Sequence, residues 1–123
     1  MNGKYHGTIM VVEDRIKRCK ILSDLFELNG FISLDFNEGG SAIDYIRGGL
    51  VYDALIVDLS LGENTLYTGL DVINQSKALH PRTPVISISG YGAKLPGVDR
   101  HFYSGDGKKL DELVPIIESF IKR

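Results

Sequence analysis

The sequence predicts an α/β domain built on a doubly wound parallel sheet, and three observations predict it. Short runs rich in β-branched residues alternate strictly with longer runs whose apolar positions recur at three and four. The central short runs are apolar on both faces, as strands covered by helices on each side must be. Glycines and prolines punctuate the runs and do not gather into a linker. Strands and helices alternating in this way close into a parallel sheet with right-handed crossovers.

Residues 8–12, TIMVV, read as a nearly all-apolar strand, and 54–57 and 85–88 read the same way. Residues 31–36 alternate more and read as an outer strand, with 101–104 the candidate for a fifth. Between the first two strands, residues 15–29 carry Ile16, Leu22, Leu25 and Phe26 at helical spacing, and Gly30 follows where a left-handed C-terminal stop would sit. Ser41 with Asp44 three residues on predicts the start of a short second helix closed by Gly48 and Gly49. Thr68 with Asp71 predicts a third that runs to Leu79 and stops before Pro81. The last helix places Leu110, Leu113, Val114, Ile117, Phe120 and Ile121 on one face. Pro115 must then lie near its first turn, where a missing amide donor costs little.

A length of 123 residues with 43% hydrophobic composition fits one domain over 1–123, able to bury a core without disulfide or metal staples. A net charge of -2 gives no basic field that would draw the chain to nucleic acid or to an anionic membrane. Cys19 is the only cysteine, which excludes an internal disulfide and predicts a packed, inert thiol in a reducing compartment. Residues 1–7 contain no apolar stretch of signal-peptide length, and no later run approaches the ~20 residues that span a bilayer. The expected location is the cytoplasm.

In doubly wound sheets, ligands bind at the carboxyl ends of strands where the strand order reverses. The first strand finishes at Glu13 and Asp14, the third at Asp58 and the fourth at Ser89, so three carboxylates and a hydroxyl reach one edge. If the first and third strands are neighbours, each like-charged pair at ~5 Å costs about 3 kcal/mol at an effective dielectric near 20. Either one carboxylate holds a proton, or the site takes a hard divalent cation in a shell of carboxylates, waters and a carbonyl. A lone aspartate at a strand end is more often a turn former, whereas three converging acids favour a site. Asp58 is the candidate nucleophile, because apolar Leu55, Ile56 and Val57 fix it from behind and a metal beside it can bridge its carboxylate to a phosphoryl group. Ser89 is then positioned to donate to a phosphoryl oxygen; its bland reading is a small polar residue closing a strand before Gly90.

The segments VVEDRIKRCKIL, ALIVDLSLG and PVISISGYG, in this order over most of the chain, resemble the response-regulator receiver (CheY-like) family. The resemblance implies a flavodoxin-like five-stranded sheet of order 2-1-3-4-5 and an aspartyl phosphate on Asp58. It also implies magnesium (Mg2+) held by Asp14, Asp58 and the backbone carbonyl of Ser60, with Glu13 supporting the metal's waters. Ser89 would be the hydroxyl that moves toward the phosphate, followed inward by an aromatic residue of the fifth strand, Phe102 or Tyr103. The implied phosphoryl donor is a histidine kinase or a histidine phosphotransfer protein, and the implied output is a downstream protein. Self-phosphorylation and dephosphorylation would be its only chemistry.

Three features depart from the family pattern. HFYSGDGKKL lacks the family's Lys-Pro, with Gly105 or Asp106 where the lysine would stand. Lys108 is the candidate to reach the site from a lengthened loop, against the alternative of a solvated surface lysine. Residues 90–100 are too short and too rich in Gly90, Gly92, Pro96 and Gly97 for the usual helix between the fourth and fifth strands, so a short helix or a loop is expected. Ser89, Gly90, Tyr91 and Gly92 are similar to a receiver subgroup with a Thr/Ser-Gly-x-Gly motif and a reduced helix there. The loop after Asp58, LSLGENTLYTG, is also longer than the common pattern and has Gly62 where proline is usual.

The leading expectation is a receiver in which the charge change at Asp58 reorders residues 90–100. With no output segment after Arg123, the chain would act alone as a relay or docking switch, or as a fragment of a larger kinase or regulator. The alternative is a receiver-like docking module that works without phosphate; the missing lysine favours it and the intact acidic set opposes it. A phosphohydrolase would need a general acid two residues after Asp58, where Ser60 stands. A flavodoxin-type flavin site would need amide or hydroxyl donors where EDRIKRCK opens with two acids.

Overall fold

The structure, a computed structural model, describes residues 7–59, 68–89, 95–103 and 110–121. In chain order these form β1 (Gly7–Val12), α1 (Ile16–Leu28), β2 (Phe31–Phe36), α2 (Gly39–Arg47), β3 (Ala54–Asp58), α3 (Gly69–Leu79), β4 (Val85–Ser89) and β5 (Arg100–Tyr103). A 3-10 turn, Leu110–Glu112, then leads into α4 (Leu113–Ile121). The sheet has the order β2-β1-β3-β4-β5, and every neighbouring pair is parallel, which is the predicted flavodoxin-like topology.

The two-sided apolar strands explain the layering. Successive side chains of a strand point to opposite faces. Ile9, Val11, Ile56, Ile86, Ile88 and Phe102 therefore share one face, where they pack with Leu22 and Phe26 of α1 and Leu113 and Ile117 of α4. Met10, Val12, Leu55, Val57 and Val85 share the other, against Ala42, Ile43 and Ile46 of α2 and Val72 and Ile73 of α3. Each such side chain taken fully out of water stabilises the fold by about 1.5–3 kcal/mol before the entropy of ordering it is counted. Cys19 lies in the first core, packed as expected, and burial pushes its thiol up to about 11.

Helix ends follow local chemistry. Thr68 and Asp71 form a reciprocal capping box at the start of α3, as predicted. Gly30 takes a φ of 88° after α1, the left-handed stop that its position called for. The start of α2 differs from expectation: the helix begins at Gly39, and its cap is Glu38, whose carboxylate accepts from the Ser41 amide at 2.8 Å. Ser41 is inside the helix, because Glu38 takes the Ser41 amide that the Asp44 carboxylate would have served in a capping box. Pro115 lies in the first turn of α4, as required.

Between β4 and β5, residues 90–94 lie outside the described residues, and 95–99 form turns without a helix. Leu95 and Val98 pack onto the second core. Gly97 has a φ of 85°, and a β-carbon there would stand 3.0 Å from Ile73 Cγ2 on α3. Gly97→Ala combines left-handed strain with a steric clash, so a loss of roughly 1–2 kcal/mol is expected, read as a lower urea midpoint. Among the described residues no helix is long and apolar enough to cross a membrane.

Candidate functional site

The strand order reverses at β1, which lies between β2 and β3. Val12 is in register with Val57, so the next residues of the two strands, Glu13 and Asp58, leave the sheet side by side. Asp58 is in turn the register partner of Ile88, which puts Ser89 one residue further along the neighbouring strand. The backbone holds this edge firmly. The Glu13 amide donates to the Phe36 carbonyl at 3.0 Å, the Asn37 side chain donates to the Glu13 carbonyl at 3.0 Å, and the Leu59 amide donates to the Ile88 carbonyl at 3.1 Å. Gly69 opens α3 so close to this end that a β-carbon on it would lie 3.3 Å from the Asp58 carbonyl oxygen.

Glu13 and Asp58 are almost wholly buried, at 1% and 2% exposure. Burial, with the Asp58 carboxyl alongside, raises Glu13 to about 7, although Arg15 pulls it the other way. Arg15 spans the pair. Its Nη2 donates to Asp58 Oδ2 at 2.6 Å and to Glu13 Oε1 at 3.2 Å, while its Nε and backbone amide donate to Glu13 Oε2 at 3.2 and 3.0 Å. These contacts, the hydrogen bond to Glu13 foremost, hold the Arg15 guanidinium still further above its usual range. Arg18, one helical turn on, pairs with Glu13 Oε1 at 3.3 Å without hydrogen-bond geometry. Two guanidinium groups thus offset the repulsion that the sequence alone assigned to a proton or a metal.

The third acid, Asp14, keeps its Oδ1 buried and without a hydrogen-bond partner among the described residues. Such an oxygen suits a hard cation, and so do the buried carboxylates beside it; the donor chemistry fits magnesium. Among the described residues no three acidic, imidazole or thiol side chains close on a single ion position. A shell here therefore needs a carbonyl and water as well, and Ser60, whose carbonyl the resemblance assigns to that role, lies outside the described residues. Lys108 lies outside them too, as do Gly62, Gly90, Tyr91, Gly92, Gly105 and Asp106.

Ser89 is buried, and its Oγ is 3.2 Å from His101 Nε2 on β5. The other ring nitrogen of His101 is 2.6 Å from Ser87 Oγ. A neutral imidazole can serve both hydroxyls, donating at one nitrogen and accepting at the other, because hydroxyl hydrogens rotate to suit. Of the two aromatics that the sequence singles out, Phe102 is buried in the first core and Tyr103, opposite Ser89 in register, is 37% exposed. By strand alternation Tyr103 shares the face of His101.

Arg15 and His101, with their neighbours Arg18 and Ser87, are site residues that the sequence reading does not single out. A signal for Arg15 was present: a cation directly follows two strand-end acids. For His101 the signal was its two-residue spacing from Tyr103, at the same offset that separates Ser87 from Ser89.

No protein-family model and no curated protein matches the chain. Solved structures do. The receiver domain of a sensor histidine kinase from Pseudomonas aeruginosa, described with a magnesium ion in its active-site cleft, is similar at a TM-score of 0.81 and 18% identity over 95% of this chain and 98% of that one. A Francisella response-regulator receiver domain matches at 0.79 and 20% identity, over 95% and 98% of the two chains. The Thermotoga maritima response regulator TrrA, in complex with magnesium and beryllium fluoride, matches at 0.78 and 19% identity, over 92% and 97%. The chain has the fold of receiver domains.

Proposed function

We propose that residues 1–123 are a response-regulator receiver that accepts a phosphoryl group on Asp58 and passes the change to a protein partner. The observation that carries this reading is the buried Asp58 carboxylate at the carboxyl end of β3, beside Glu13 and one strand away from the Ser89 hydroxyl. The donor is a histidine kinase or a histidine phosphotransfer protein. An Asp58 carboxylate oxygen attacks phosphorus, and the O–P bond forms as the P–N bond to the donor's histidine breaks, with the departing imidazole taking a proton. Magnesium, held by Asp14, Asp58 and the Ser60 carbonyl with Glu13 supporting its waters, would supply positive charge to the phosphoryl oxygens.

The chain's own residues then carry the signal. Ser89 gives up its contact with His101 and donates to a phosphoryl oxygen, leaving His101 tied to Ser87. Tyr103, on the face of His101, is the β5 aromatic free to follow, whereas Phe102 is anchored in the core. Lys108 is the candidate for the charge that the family's lysine supplies. The added negative charge reorders residues 90–100 and so alters the surface that a downstream protein meets. The chain turns over no external substrate; it gains and loses its own phosphoryl group.

The test is a backbone amide spectrum recorded with magnesium and then with beryllium fluoride, using Asp58→Asn as control. Shifts at Asp58, at Ser89 and through residues 90–100 are expected in the native chain and absent from the control. If magnesium binds but beryllium fluoride moves nothing, the phosphate-independent docking module takes over.

A further inference from the structure

We propose that Arg15 is the resident counter-ion of this site, lying across Asp58, a ligand of the divalent cation in the receiver reading, and Glu13, which supports the cation's waters, and competing with the metal for them. The inference rests on the receiver reading, since it takes that reading's metal as the competitor. Arg15 Nη2 bridges Asp58 Oδ2 at 2.6 Å and Glu13 Oε1 at 3.2 Å, so a single nitrogen serves both buried acids. A carboxylate engaged by a charged donor at such distances must surrender that bond before a metal can use the same lone pair.

The surroundings are built for a group that can leave. Arg15 is the N-terminal cap residue of α1, makes no side-chain cap bond, and keeps its side chain 56% exposed, so among the described residues the hydrogen bonds that its rotation into solvent breaks are those to Glu13 and Asp58. Arg18 differs: its side chain is 24% exposed and, among the described residues, its ion pair is with Glu13, which leaves Glu13 a counter-ion when Arg15 departs. The helix start itself disfavours both. Arg15, Lys17 and Arg18 put three cations where the helix dipole favours anions, and the first turn contains no acid. For Arg15 and Arg18 that cost is offset through the strand-edge carboxylates, which ties these two guanidinium groups to the site and not to the helix.

The experiment is a magnesium titration of the metal-free full chain by calorimetry, at fixed pH and ionic strength, on the native protein, Arg15→Gln, Arg15→Lys and Asp58→Asn. Removing the charge-assisted contact is expected to tighten magnesium binding in Arg15→Gln by roughly tenfold or more. Arg15→Lys, a point charge without the planar fork, is expected to fall between, and Asp58→Asn to bind weakly or not at all. Equal affinities in the native protein and Arg15→Gln would overturn the inference and leave the receiver reading standing. Absence of magnesium binding in the native chain and Arg15→Gln alike would overturn both.

Discussion

Asp58→Asn is expected to abolish phosphoryl uptake from acetyl phosphate in the presence of magnesium, read as loss of the added mass on the intact protein. The asparagine amide keeps the size and shape of the side chain but has no anionic oxygen to attack phosphorus. The fold should persist. Asp58 is the last residue of β3, and the cores on either side are made by Leu55, Ile56 and Val57, which the substitution leaves in place. Two opposing changes occur at the edge itself: Arg15 loses its 2.6 Å partner, and Glu13 loses the neighbour that helps raise it. Uptake by the variant equal to that of the native chain would move the acceptor away from Asp58 and sink the reading.

How far the site could be read in advance depends on which residues act locally. The strands were legible because a sheet covered on both faces demands apolar side chains at every position, and TIMVV and ALIV meet that demand without reference to anything distant. The start of α3 was legible for a similar reason, since Thr68 and Asp71 satisfy each other across one turn. The same spacing in Ser41 and Asp44 misled, because Glu38 reaches the Ser41 amide from outside the helix and the pattern cannot register a longer side chain. Topology then did most of the work: once the strands are parallel, their carboxyl ends share an edge, and Glu13, Asp58 and Ser89 arrive there together.

Arg15 and His101 escaped because their roles depend on pairings the linear pattern does not contain. Arg15 meets Asp58 only because α1 begins where it does, folding the guanidinium back over a residue 43 positions on. In the sequence alone it is one of four cations, with Lys17, Arg18 and Lys20, in the first part of the predicted helix. His101 meets Ser87 and Ser89 only in the register that sets Ser87 against His101, and an aromatic expectation for that strand drew attention to Phe102 and Tyr103. Phe102 occupies the opposite face, where it packs in the first core. One residue of offset in a strand exchanges core for site.

The metal-free protein is expected to lose stability as the pH rises through the range in which Glu13 ionises. Its carboxyl stands at about 7 in the fold against 4.5 ordinarily, chiefly because of burial. An acid with a raised folded value binds its proton more tightly when folded than when unfolded. Its contribution is therefore most favourable below 4.5, falls between 4.5 and 7, and is level above. The full difference amounts to at most roughly 3 kcal/mol. Other groups titrate in the same range, so the measurement is a comparison: urea unfolding of the native chain and Glu13→Gln across that pH range, with chelator present. Glu13→Gln imitates the protonated acid, so its stability relative to the native chain should climb with pH by up to that amount, whatever constant offset the lost arginine contacts introduce. Magnesium acts in the opposite sense, because it favours the ionised carboxylates, and should restore native stability most strongly above pH 7. If the native and Glu13→Gln curves run parallel, Glu13 is already ionised in the fold, and the arginines rather than a shared proton hold the acidic edge together.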